Sequence, residues 1–142
     1  MANQDDFLNE NINRLMQDKS EWIMDRVRAQ KQGEGNLLTE AEGKIMSTLR
    51  GRELTVSEIA RLRGVSRQAI HRTVTGLVEK GYLRLDPAPG SERDKIVVVT
   101  AEGQKLRKQV GQMLKKVEDE IAKAIGKDRL ETLRAILKED WE

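Results

Sequence analysis

Apart from turns and an interruption at Lys19 and Ser20, the apolar residues of this chain repeat with a helical period except between Gly81 and Thr100. There Tyr82-Leu83-Arg84-Leu85-Asp86 alternates, and Lys95-Ile96-Val97-Val98-Val99-Thr100 is a β-branched run. Alternation places successive side chains on opposite faces of a strand, and branching at Cβ favours extended backbone. Between the two runs lies Pro87-Ala-Pro-Gly-Ser-Glu-Arg-Asp94, which its Pro and Gly residues mark as a loop. The pattern predicts one hairpin with a long tip, carrying Arg93 and little that could pack. A single hairpin set among helices restricts the chain to a mainly α fold with a small β wing, in the α+β class.

The flanking segments carry their own start and stop signals. Residues 5–31 predict one helix, with Leu8, Ile12, Leu15, Met16, Trp22, Ile23 and Val27 near helical period, ended by Gly33-Glu-Gly-Asn36. Thr39-Glu-Ala-Glu42 is a capping-box pattern, in which the hydroxyl and the Glu each satisfy an orphan backbone amide at a helix start. It opens a helix to about Arg50, with Ile45, Met46 and Leu49 inward and Gly51 as its stop. A second box, Thr55-Val-Ser-Glu58, opens a short helix through Arg63 carrying Ile59, Ala60 and Leu62. Gly64-Val65-Ser66 then makes a turn, and Ser66 caps a third helix running to about Lys80. Beyond the hairpin, Leu106, Val110, Met113, Leu114, Val117, Ile121, Ala124 and Ile125 keep the helical pattern over 101–126. That is ~39 Å of helix at 1.5 Å per residue. Asp128-Arg-Leu-Glu131 reads as the start of a last helix with Leu130, Leu133, Ile136, Leu137 and Trp141.

The stretch Val56–Leu77 has the form of a helix-turn-helix. Ala60 is small, so the second helix can approach; Gly64 accepts the geometry of a sharp turn; Ile70, Val74 and Leu77 face inward. Ser66, Arg67, Gln68, His71, Arg72 and Thr75 then fall at the start and on the outward face of the second helix. These residue types read base edges and grip phosphates, and the helix N-terminus adds amides suited to an anion. A hairpin directly after such a unit completes a winged helix, with Arg93 and Lys95 on the wing.

Charge supports the same region. The formal net charge is only +2. Split along the chain, however, residues 50–93 carry +4 between acidic or nearly neutral flanks, and eight of their nine basic residues are Arg. Arg offers a planar fork of donors suited to phosphate and to guanine, so its enrichment says more than charge alone. Aromatics amount to 3%, which disfavours readers of single-stranded nucleic acid, since those stack bases on rings.

Composition also excludes several chemistries. Without Cys there is no disulfide framework, thiolate metal site or thiol nucleophile, and one His cannot build a multi-His metal centre. Ser47, Thr48 and Ser57 have no base within sequence reach, so a hydrolase is rejected. No apolar run approaches the ~18 residues of a membrane span, and the acidic N-terminus is unlike a signal peptide. The expectation is a cytoplasmic protein that is not an enzyme and needs no cofactor or metal.

Residues 38–106 resemble the DNA-binding domain of the multiple-antibiotic-resistance regulator (MarR) family of winged-helix repressors. The matching stretches are Leu38-Thr39, Leu54-Thr-Val-Ser-Glu-Ile-Ala60, Gly64-Val-Ser66, Leu77-Val-Glu-Lys-Gly-Tyr-Leu83 and Val99-Thr-Ala-Glu-Gly103. The resemblance implies an N-terminal dimerisation helix over 1–36, a winged helix-turn-helix over 37–100 and C-terminal dimerisation helices over 101–142. It further implies a homodimeric repressor of pseudo-palindromic double-stranded DNA, released by a small-molecule effector. In the family a wing Arg enters the minor groove, and Arg93 occupies that place. An Asp usually stands two residues before it, where this chain has Ser91; Glu92 and Asp94 are the candidates to orient Arg93 instead.

The terminal stripes argue for a second chain independently, because they need one another and more apolar cover than a winged helix offers. A two-fold dimer would set two reading helices ~34 Å apart, about one DNA turn. Among the remaining features, Trp22 reads as interface before effector pocket, Met16, Met24, Met46 and Met113 mostly as core, and Glu118-Asp119-Glu120 as a solvated face. The alternative function is a winged-helix protein-interaction module without specific DNA binding, since fold does not dictate function.

Overall fold

A computed structural model describes residues 4–30 and 38–142. They divide into two compact units, one built from residues 4–30 and 110–142 and the other from 38–109. The element order is α1 (Gln4–Glu10), α2 (Ile12–Gln30), α3 (Glu40–Leu49), β1 (Leu54–Thr55), α4 (Val56–Arg63), α5 (Arg67–Glu79), β2 (Leu83–Pro87), β3 (Lys95–Val99), α6 (Ala101–Ile125) and α7 (Lys127–Lys138). The Gly33–Asn36 break lies outside the described residues.

In the 38–109 unit both capping boxes form. Thr39 and Thr55 each accept from the amide of Glu42 or Glu58, and each Glu carboxylate accepts in return from the threonine amide. Ser66 caps α5 by accepting from the Ala69 amide at 3.1 Å. Gly64 closes α4 in the left-handed region at φ 66°, as the turn requires. Around these elements Ile45, Leu49, Ile59, Ala60, Ile70, Val74, Leu77, Leu83 and Val97 form one buried core.

The wing is larger than a hairpin. β2 and β3 pair antiparallel with Leu83 opposite Val99 and Pro87 opposite Lys95. On its other edge β3 pairs with β1, Leu54 opposite Val97, giving a three-stranded sheet of order β1-β3-β2. β1 is two residues long, too short to show alternation, and exists only because β3 offers it an open edge. The wing tip also packs, against expectation: Ala88 is buried and its amide donates to the Asp94 carbonyl at 3.4 Å. Thr100 joins wing to α6, its hydroxyl donating to the Gly81 carbonyl at 2.5 Å and accepting from the Gly103 amide at 3.1 Å. At Gly103 a Cβ would collide with the Tyr82 carbonyl, so α6 can start this close to β2 only with glycine there.

Other sequence readings require correction. The N-terminal helix expected over 5–31 breaks at Asn11. The Asn11 amide nitrogen donates to the carbonyls of Phe7 and Leu8, and its oxygen accepts from the Arg14 amide. One side chain thus ends α1 and starts α2, which apolar period cannot reveal. Leu62 is 62% exposed, because the short α4 buries only the face carrying Val56, Ile59 and Ala60. The left-handed cap of α3 falls on Arg50 at φ 51° as well as on Gly51.

In the other unit, Val27, Val117 and Leu130 are the buried apolar residues among those described. Ion pairs bind its helices: Arg26 with Glu120 at 3.2 Å, and Arg134 with Glu118 and Glu131. The acidic run at 118–120 is therefore partnered and more than a solvated face, Asp119 pairing with Lys115 at 3.4 Å. Of the four methionines assigned mostly to core, Met46 is buried but Met16 and Met24 are exposed. No helix among the described residues is long and apolar enough to cross a membrane.

Candidate nucleic-acid interface

The start of α5 and the base of the wing face each other across a groove of about 250 Å³ lined by Val56, Arg67, Gln68, His71, Arg93 and Lys95. Five of the eight residues singled out from sequence thus meet in one place. α5 supplies Arg67, Gln68 and His71 from one exposed face, because Ile70, Val74 and Leu77 anchor the opposite face in the core. β3 and the tip supply Lys95 and Arg93. Ser66 is exposed at the helix start, with its oxygen accepting from the Ala69 amide. Arg72 is exposed on α5 outside this groove. Thr75 is half-buried, and its hydroxyl donates to the His71 carbonyl at 2.8 Å.

The groove is held together by contacts that the sequence pattern does not show. Asp94 Oδ1 accepts from the Ser57 amide at 3.4 Å and the Lys95 amide at 3.0 Å, and lies 3.6 Å from the Arg67 guanidinium. Arg67 Nη2 also donates to the Arg93 carbonyl at 3.1 Å. Burial pushes the Asp94 carboxyl up, but the bonds from Ser57 and Lys95 and the Arg67 charge outweigh it and hold it below its ordinary value. Asp94, offered from sequence as a stand-in to orient Arg93, instead faces Arg67 and α4. Ser91 caps the turn, its hydroxyl accepting from the Asp94 amide at 3.0 Å.

At the far end of α5, Glu42 is 4% exposed and accepts at Oε1 from Lys80 Nζ at 2.5 Å and from the Thr39 amide at 2.9 Å. Burial pushes its carboxyl up, yet Lys80 and Thr39 together hold it below its ordinary value. Its other oxygen approaches Gly76, where a Cβ would lie 3.2 Å away. This clamp ties the start of α3 to the end of α5 and so sets the tilt of the exposed face.

Residues 38–94 match the MarR family. The matched stretch runs from the start of α3 to the tip of the wing. An uncharacterised protein of Mycobacterium tuberculosis, Rv2011c, is 28% identical over 100 residues, covering 70% of each chain. Among solved structures, the reduced form of MarR from E. coli matches with a TM-score of 0.73 at 24% identity, over 91% of this chain and 95% of that one. NadR in complex with 4-hydroxyphenylacetate matches with a TM-score of 0.67 at 21% identity, over 90% of both chains. At such identities the structural likeness is one of fold. The sequence signal for Asp94 was its place directly after Arg93 and directly before β3.

Proposed function

We propose that this chain is a homodimeric transcriptional regulator that binds pseudo-palindromic double-stranded DNA and acts as a repressor released by a small-molecule effector. The observation that carries the reading is the groove in which Arg67, Gln68, His71, Arg93 and Lys95 converge with Val56 as its one apolar residue. A docking surface for protein would present aromatic or apolar anchors there. In the proposed complex α5 enters the major groove. Arg67, Gln68, His71 and Arg72 are the base readers, Ser66 and the first amides of α5 hold a phosphate, and Thr75 lies further along the same helix. Arg93 enters the minor groove and Lys95 follows its phosphates.

Dimerisation is supported by the apolar surface that the unit of terminal helices leaves open: Phe7, Leu8, Ile12, Leu133, Ile136, Leu137 and Trp141 are each at least 46% exposed. Effector control is supported by the ligand seen in NadR. Trp22, with Arg26 4.4 Å above its ring, joins an apolar face to a cation of the kind an aromatic anion needs, and also suits a subunit interface.

Selection of bound fragments from a random duplex pool tests the reading directly. Enrichment of an inverted repeat with half-site centres ~10 bp apart is expected. Arg93→Ala should weaken binding and lower the slope of log K against log salt by about 1. Failure to enrich any duplex, at salt low enough for non-specific binding, overturns it.

A further inference from the structure

We propose that Asp94 is a specificity-determining residue, a latch that holds the Arg67 guanidinium against the wing and releases it only to a cognate base. The inference rests on the reading of α5 as a helix that binds duplex DNA. Arg67 opens α5, where a cation of a DNA-reading helix meets phosphates first, and it is exposed. It is nonetheless engaged on two sides, by the Asp94 carboxylate at 3.6 Å and the Arg93 carbonyl at 3.1 Å. Asp94 is itself fixed by the Ser57 and Lys95 amides, so the carboxylate stays in place when Arg67 leaves.

Magnitudes make such a latch selective. Arg67 is half-exposed in its pair with Asp94, so the pair shifts an equilibrium by about fivefold, and one backbone phosphate contact in water is of the same order. Exchanging Asp94 for a phosphate therefore gains almost nothing, and Arg67 adds little to binding of arbitrary sequence. A bidentate contact to guanine discriminates by about five- to 150-fold, enough to draw Arg67 away. Asp94 thus suppresses indiscriminate attraction while leaving the specific contact favourable.

The test is a double-mutant cycle on the full chain, using Asp94→Asn, Arg67→Ala and their combination, with Glu92→Gln as a control for charge alone. Asn keeps an oxygen for the Ser57 and Lys95 amides but removes the charge that holds Arg67. Binding is measured by fluorescence anisotropy on the selected duplex and on a random duplex across salt concentrations. Asp94→Asn should tighten random-duplex binding about three- to fivefold, steepen its salt slope by about 1 and lower the selected-to-random ratio accordingly. All three changes should vanish when Arg67 is Ala, and Glu92→Gln should not reproduce the dependence on Arg67. Tightening that is equal with and without Arg67, or no tightening at all, overturns the proposal. NMR of the Arg67 guanidinium in the free protein separates the layers: hindered rotation in the wild type that becomes fast in Asp94→Asn reports the latch without DNA. If that contrast is seen but the wild type binds no duplex, the DNA-binding reading and the specificity role fall while the contact stands; if rotation is equally fast in both, the latch falls whatever the DNA result.

Discussion

The winged-helix unit and the unit of terminal helices are both helical and amphipathic, yet only the first closes a core within one chain. In the winged helix, apolar side chains from α3, α4, α5 and all three strands are buried together, among them Leu49, Ile59, Val74, Leu77 and Val97 at 0% exposure. In the unit of residues 4–30 and 110–142 three apolar residues are buried among those described, while apolar positions along α1, α2 and α7 face solvent. Sheet edges and short connections let a small unit surround its own core; long helices with continuous stripes expose whatever a single partner helix does not cover. The contrast teaches that similar hydrophobic patterning yields a unit with a closed core in one case and a unit with an open apolar face in the other.

Breaking the core of the head should produce the largest effect. Leu77→Ala should cost about 2–5 kcal/mol, read by urea unfolding of the wing and α5, with little dependence on protein concentration. The same unfolding cost confined to α1, α2 and α7 would contradict the division. In the other unit, Leu137→Lys should weaken self-association by about tenfold or more in sedimentation, with head stability changed by less than about 0.5 kcal/mol. Equal sedimentation of wild type and variant at every concentration would remove this face from the interface.

A smaller and pH-dependent effect should come from the Glu42 clamp. Folding lowers the Glu42 pKa, so its contribution is complete above the ordinary value of 4.5 and fades as pH falls through the lower folded value. Glu42→Gln should therefore cost on the order of 1 kcal/mol at neutral pH, since Lys80 is well exposed, and the difference from wild type should shrink under acid. A gap that widens below pH 4.5 would show the opposite sign and refute the assignment. The smallest effect belongs to Leu62→Ser, expected within about 0.5 kcal/mol because the side chain lies outside the core. A larger loss would mean that Leu62 is covered by something other than its own chain.

Much of the head was legible in sequence because its signals are local. Two capping boxes, the Gly64 turn, the Ser66 cap and the change of period after Gly81 each act over a few residues, and each appears where its pattern stands. The polar face of α5 was legible for the same reason: once Ile70, Val74 and Leu77 are inward, a 3.6-residue period places Arg67, Gln68 and His71 together on the other face. What escaped was non-local or competed with the period. β1 requires the edge of β3, the Asn11 break is a side chain outcompeting the backbone, and the exposure of Leu62 follows from how little of α4 the head can cover. Asp94 was named, but for Arg93; its actual partners Ser57 and Arg67 escaped because they lie far from it in sequence.

By itself the sequence determined that this is a mainly α chain with one small wing, where its helices start, and which face of α5 is polar and Arg-bearing. Those properties depend on rotation per residue and on hydrogen bonds between near neighbours. Only the tertiary structure decided that Arg67 and Arg93 share one groove, that Asp94 restrains Arg67 and not Arg93, and that Gly103 must lack a side chain. These depend on distances between segments that meet only after the core around Leu77 has formed, and no local pattern encodes such distances.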